Sequence, residues 1–182
     1  MYSKNKVVLE PVVDVVVLLV QGMVTKYASY NVLTEEQRIF VLDNIKPLLF
    51  PLKPLNSENY SGNGMHTRPG LHLNPKLGLL YDRIVEDFKA LVGKEPVIEK
   101  SWALWTNGQY VNWHNHQNAD FSIVYYIEQH PTIGRSTQFE DGSVAISPQN
   151  SLLIFDSKIS HSVPSSTTKI SRYSIATDVI TP

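Results

Sequence analysis

Cysteine is absent from this 182-residue chain. That excludes a disulfide framework, thiolate metal sites and cysteine nucleophiles together. An excess of either charge is also missing. Lys and Arg number 16 against 17 Asp and Glu, a net charge of −1, so no global field draws the chain to nucleic acid or an anionic membrane surface. A long hydrophobic run is missing too. Val12–Val20 is interrupted by Asp14 and ends at Gln21-Gly22, short of the roughly 20 residues a bilayer requires. It starts after Glu10-Pro11 and lacks a clean small-residue cleavage site, so it does not read as a signal peptide. Its valines are stiff at χ1 and predict a buried strand. A cytoplasmic location is the expectation. What remains is the make-up of a globular domain, 42% hydrophobic and 18% charged, long enough for one ample core.

The helices fall in the N-terminal half. Thr34-Glu35-Glu36-Gln37 has the form of a capping box and predicts a helix running to about Lys46, where Pro47 stops it. Prolines 47, 51 and 54 predict an extended connection, and the polar, glycine-rich Asn56–Gly70 an exposed loop, a candidate lid. A second helix is predicted from about Pro75 to Gly93, with Leu77, Leu80, Tyr81, Ile84, Phe88 and Leu91 forming one apolar stripe. After Pro96 the texture changes to short β-type runs: Ile98–Thr106, Gln109–His116, Phe121–Glu128, Thr137–Phe139, Ser143–Ile146, Ser151–Phe155 and Lys169–Asp178. Closely spaced strands of this kind predict an antiparallel sandwich or jelly roll with helices on one outer face. The expected organisation is one domain over 1–182. Residues 1–96 form the helical flank and first strands, and 97–182 the jelly-roll core.

Three histidines carry the chemistry. His114 and His116 stand two apart at the head of a strand-like run, which on a regular strand puts both imidazoles on one face. His161 follows 47 residues later, after the apolar run Ser151–Phe155, and can close a metal site. Neutral imidazole suits iron, zinc, copper and nickel. Asp120 is the nearby carboxylate and an alternative third ligand. A plain surface pair on an edge strand is the structural alternative for His114 and His116, and a salt bridge for Arg172. His66, His72 and His130 lie in loops or beside proline and read as exposed.

The run Asn107-Gly108-Gln109-Tyr110-Val111-Asn112-Trp113-His114-Asn115-His116, continuing through Asp120 to Tyr125-Tyr126-Ile127, resembles the core of the iron(II)- and 2-oxoglutarate-dependent oxygenases. It is most similar to a branch of bacterial and phage members carrying His-Asn-His, so the expected cytoplasm is the host's if the chain is phage-encoded. Ser151–Asp156, His161-Ser162-Val163-Pro164 and Arg172-Tyr173-Ser174-Ile175 resemble that family's later strands, in order and spacing. The resemblance covers roughly 98–178 and is specific for the superfamily, not for a substrate.

It implies a double-stranded β-helix, a cupin-like jelly roll, holding Fe(II) with His114 as first ligand and His161 as distal histidine. Arg172 would grip the far carboxylate of 2-oxoglutarate in a bidentate fork, with Ser174 and Tyr126 adding contacts. Only one of Tyr125 and Tyr126 should face inward, because adjacent strand residues alternate. Trp105 and Tyr110 would line the pocket. The implied reaction is hydroxylation of a prime substrate by oxygen, with release of succinate and carbon dioxide. Position 116 departs from the family, being histidine where a carboxylate is usual. That leaves a three-histidine site, recruitment of Asp120, or His116 beside a two-histidine centre. Two rivals stand: a three-histidine cupin-type enzyme that does not use 2-oxoglutarate, and a non-catalytic jelly-roll binding or structural module.

Overall fold

A computed structural model describes residues 15–18, 26–51, 64–129, 136–145 and 148–182. In chain order its elements are β1 (Val15–Leu18), β2 (Lys26–Tyr30), α1 (Glu35–Ile45), β3 (Phe50–Pro51), β4 (Met65–His66) and α2 (Gly78–Val92), then β5 (Val97–Asn107), β6 (Val111–His114), β7 (Phe121–Glu128), β8 (Thr137–Phe139), β9 (Val144–Ala145), β10 (Ser151–Asp156), β11 (His161–Val163) and β12 (Ser171–Ile180). The major sheet has the order β1-β2-β10-β7-β12-β5-β4-β3, and the minor sheet β6-β11-β8-β9. Every described pairing is antiparallel. The two sheets face each other as a jelly roll, and both helices lie on the outer face of the major sheet.

The helices form for the reasons their sequence suggests. Thr34 Oγ1 accepts from Gln37 N, and Gln37 Oε1 accepts from Thr34 N, closing the capping box of α1. Gly93 ends α2 in the left-handed region, at φ 73°, with its N–H bonded to the Lys89 carbonyl. The residues before α2 form a 3-10 turn, Pro75–Leu77, in place of its predicted first turn. Leu77, Leu80, Tyr81, Ile84 and Phe88 are buried, with Leu91 at their margin. Four elements escape the sequence reading: β2, β3, β4 and β11. β4 falls inside the stretch read as an exposed loop. Its backbone pairs with Trp105 and Leu104 of β5, so Met65 and His66 extend the sheet. Of the Val12–Val20 run, Val15–Leu18 is the strand β1; the remainder lies outside the described residues, as does most of the Asn56–Gly70 stretch.

Period-two alternation sorts the major sheet's side chains between two cores. Ile123, Tyr125 and Ile127 of β7, Leu152 and Ile154 of β10, and Ile175 and Val179 of β12 face the helices. The opposite faces look into the space between the sheets. There Tyr126, Leu153 and Phe155 pack on Phe139, Ala145 and Ile159, and Leu104 on Val111 and Val163. Gly108 (φ 89°) makes the turn between β5 and β6. A Cβ there would stand 2.9 Å from the Ser166 carbonyl oxygen, so the turn admits only glycine while the segment before β12 packs against it.

A buried cation ties the sheets together. Lys26 of β2 reaches the β8–β9 hairpin of the minor sheet, donating to Asp141 Oδ2 (2.7 Å) and to Ser143 Oγ, with its ammonium 4.2 Å from the Phe139 ring centroid. Its side chain is 3% exposed, that of Asp141 28%. The two partners are therefore unequal. Removing the carboxylate strands a buried ammonium, at a cost of about 3 kcal/mol or more, whereas removing the ammonium leaves a carboxylate that water still reaches. Asp141→Ala is expected to lower the urea midpoint clearly more than Lys26→Met. Equal losses would refute the clasp.

Candidate metal centre

The site begins with a strand register. β6 and β11 pair so that His114 stands directly opposite His161, with ring centroids 4.3 Å apart. His116 arrives by a different route from the one its spacing suggests. β6 ends at His114, so the shared face of a regular strand does not apply. A turn carries the chain on, with the His116 N–H donating to the Ser157 carbonyl (2.8 Å) and the Ala119 N–H to that of His116 (3.2 Å). The His116 ring lies 5.2 Å from that of His114 and 5.4 Å from that of His161. One nitrogen from each ring falls within 4.8 Å of the others.

Hydrogen bonds decide which nitrogen is free. Nδ1 of His114 contacts the Asn112 carbonyl (2.8 Å), and Nδ1 of His161 the Ile159 carbonyl (3.1 Å). A carbonyl cannot donate, so both Nδ1 atoms carry the proton and both Nε2 atoms keep a lone pair. Nδ1 of His116 lies 2.6 Å from Asp178 Oδ1. Burial opposes the charge on Asp178, but the bond from His116 and the Lys100 ammonium outweigh it and hold the carboxyl below its ordinary pKa. An ionised carboxylate likewise accepts, leaving Nε2 of His116 free. Burial, with His114 beside it, pushes the His161 pKa down to about 3, and burial lowers that of His114. The donor set thus fits a borderline divalent metal such as iron, nickel or zinc.

Asp178 went unread in the sequence. The available signal was parity: it stands six residues after Arg172 on the same face of β12, an odd place for a carboxylate unless something inside needs it. Asp120 goes elsewhere. Its Oδ2 accepts from the backbone N–H (2.7 Å) and hydroxyl (3.1 Å) of Thr181, and it is not among the clustered ligand groups.

The same cavity holds a cation. Its lining includes the three histidines, Arg172, Ser174, Thr137 and an apolar wall of Leu104, Val111 and Val163. Arg172 is 4% exposed; its Nε donates to Gln129 Oε1 (3.1 Å), its Nη1 to Ser174 Oγ (3.2 Å), and its guanidinium lies 5.1 Å from the Tyr126 ring centroid. Among the described residues no carboxylate pairs with it. Tyr126 faces inward, its hydroxyl 2.6 Å from Thr137 Oγ1, whereas Tyr125 turns to the helical side and donates to Asn150. Two pocket expectations need correcting. Trp105 has the wrong parity: it packs near Tyr173, its indole N–H donates to Ser171, and Trp102 lines the cavity instead, stacked on His116 at 5.6 Å. Tyr110 is 42% exposed and outside the lining.

No family model matches the chain, and no curated protein matches it in sequence. Solved structures match it in shape. HygX from Streptomyces hygroscopicus, with nickel, 2-oxoglutarate and hygromycin B bound, aligns with a TM-score of 0.65 at 11% identity, over 85% of this chain and 82% of HygX. A 2OG-Fe(II) oxygenase family oxidoreductase from Burkholderia pseudomallei aligns at 0.64 and 12% identity, over 86% of this chain and 85% of its own. A prolyl hydroxylase from Trichoplax adhaerens, in complex with a hypoxia inducible factor oxygen degradation domain peptide fragment, aligns at 0.65 and 14%, over 85% and 83%.

The chain has the fold of the iron(II)/2-oxoglutarate oxygenases. On this oxygenase fold the three imidazoles and Arg172 share the space between the sheets, which is the double-stranded β-helix the His-Asn-His run led one to expect. Among the described residues, no helix is long and apolar enough to cross a membrane.

The depressed pKa of His161 makes a stability prediction. Unfolded, the ring titrates near 6.5; folded, near 3. The folded state binds fewer protons, so the stability from a neutral His161 is complete above about 6.5 and is lost as pH falls towards 3. Metal-free protein should lose urea resistance through that window, and His161→Asn should flatten the slope. An unchanged slope would show that the ring is not buried neutral.

Proposed function

We propose that the protein is a 2-oxoglutarate-dependent, Fe(II)-dependent dioxygenase that hydroxylates a substrate of undefined class, with release of succinate and carbon dioxide. The observation that carries this reading is one cavity lined by three clustered imidazoles and by a buried guanidinium that no described carboxylate neutralises. Burying a cation costs several kcal/mol unless an anion joins it. A small dicarboxylate suits that need: one carboxylate would pair with Arg172 beside the Ser174 hydroxyl, leaving the keto-acid end for a metal held by the histidines. Iron held by His114, His116 and His161 would supply the oxygen activation that no side chain here can perform.

The residues around the site do the rest. The Nδ1 bonds of the imidazoles fix their tautomers and aim. The ring of Tyr126 packs beneath Arg172, and its hydroxyl with that of Thr137 offers further polar contact. Leu104, Val111 and Val163 keep the cavity apolar, which strengthens each charge interaction inside it. The neighbours' own ligands, 2-oxoglutarate with nickel in HygX, are in keeping with this reading. The third imidazole at position 116 favours one second reading, a three-histidine enzyme without 2-oxoglutarate.

An anaerobic titration of Fe(II)-loaded protein with 2-oxoglutarate separates the two. The visible metal-to-ligand charge-transfer band is expected in the wild type. Arg172→Ala should weaken 2-oxoglutarate binding by about 100-fold or more, the loss expected when a buried charge pair is broken, while metal is retained. His161→Ala should lose the iron itself. A wild type that holds iron but gives no band would select the second reading.

A further inference from the structure

Three imidazoles carry no negative charge, yet a carboxylate lies one hydrogen bond away. We propose that Asp178 is the charge partner of the metal centre, acting through His116. This deepens the proposed function and rests on its assignment of His114, His116 and His161 as ligands.

Asp178 has no solvent exposure and sits on the inward face of β12, in line with Arg172, Ser174 and Ala176. An apolar residue there would be cheaper, because burying a carboxylate carries a desolvation cost before its partners are counted. Its partners show what it is for. Oδ1 accepts from His116 Nδ1 at 2.6 Å and from Ser122 Oγ at 3.2 Å, so the hydroxyl fixes the carboxylate while the carboxylate fixes the ring. Oδ2 lies 3.2 Å from the ammonium of Lys100, whose side chain is 44% exposed and therefore open to screening by water. Trp102 stacks on one face of the His116 ring. A carboxylate bonded to the far nitrogen of a ligating imidazole raises the basicity of the near one. Asp178 thereby supplies, at one remove, negative charge that a carboxylate at position 116 would supply directly. Neither His114 nor His161 has such support, since both rest on backbone carbonyls.

The test separates charge from orientation. Asp178→Asn keeps an oxygen for His116 and Ser122 and removes the charge; Lys100 can swing into water. Anaerobic Fe(II) affinity should fall 10- to 100-fold, and the iron reduction potential should rise, because less negative charge remains to favour the ferric form. In a His116→Asp background, Asp178→Asn should bring no loss or a gain, as the ligand itself then carries the charge. Melting of the metal-free proteins checks folding. Lys100→Gln, a half-exposed change that threatens no fold, should tighten Fe(II) and lower the potential. Wild-type affinity and potential in Asp178→Asn, or an equal loss in both backgrounds, would overturn the proposal. These readouts need no 2-oxoglutarate. A wild type without the charge-transfer band, but showing the full Asp178 effect, would sink the dioxygenase reading and leave the charge role standing.

Discussion

The register that sets His114 opposite His161 is the constraint on which the site depends. Shifting β6 by one residue would turn the imidazole to the other face of the minor sheet and abolish the cluster. A four-stranded sheet of short strands holds no such register by itself. It is held here from both sides. Leu104 packs on Val111 and Val163, and Phe155 on Phe139 and His161, so the major sheet grips the strands that carry the ligands. At the far end the Lys26 clasp pins the β8–β9 hairpin, and β8 is the strand that pairs with β11. The apolar contacts are shape-specific and the clasp is charge-specific, and together they leave β11 one way to lie.

The site also solves an electrostatic problem. Its cavity is apolar on one wall and contains a buried guanidinium, which raises the cost of any second cation. Imidazoles bind a divalent ion without offsetting its charge. Asp178 offsets part of it, and an anionic co-substrate beside Arg172 would offset more. On the proposed reading, a metal and a dicarboxylate would each favour the other's binding, a reciprocal coupling that arises from charge balance without moving parts.

Much of this was legible in the chain. The capping box at Thr34 and the stripe of α2 encode their own geometry locally, and β7 and β8 match their predicted limits, β7 as a run rich in β-branched and aromatic residues buried on both faces. His114, His161 and Arg172, singled out by their order in the chain, line one cavity. What failed was what depends on partners distant in sequence. β4 and β11 are two and three residues long, and only the strands they pair with make them strands. The choice of Trp102 over Trp105 turns on one step of parity in β5, which the apolar residues on both its faces conceal.

His116 shows most clearly where local pattern runs out. Its spacing from His114 suggested a shared strand face, but the strand stops at His114. What brings the ring inward is the Ser157 carbonyl on its backbone and the Asp178 carboxylate on its side chain. Those partners lie 41 and 62 residues away. A strand fixes a side chain's direction only to within its own twist, whereas a carboxylate bonded to Nδ1 fixes both ring orientation and tautomer. The histidine at position 116 and the buried aspartate on β12 are therefore one feature: the carboxylate stands one hydrogen bond behind the imidazole that it orients.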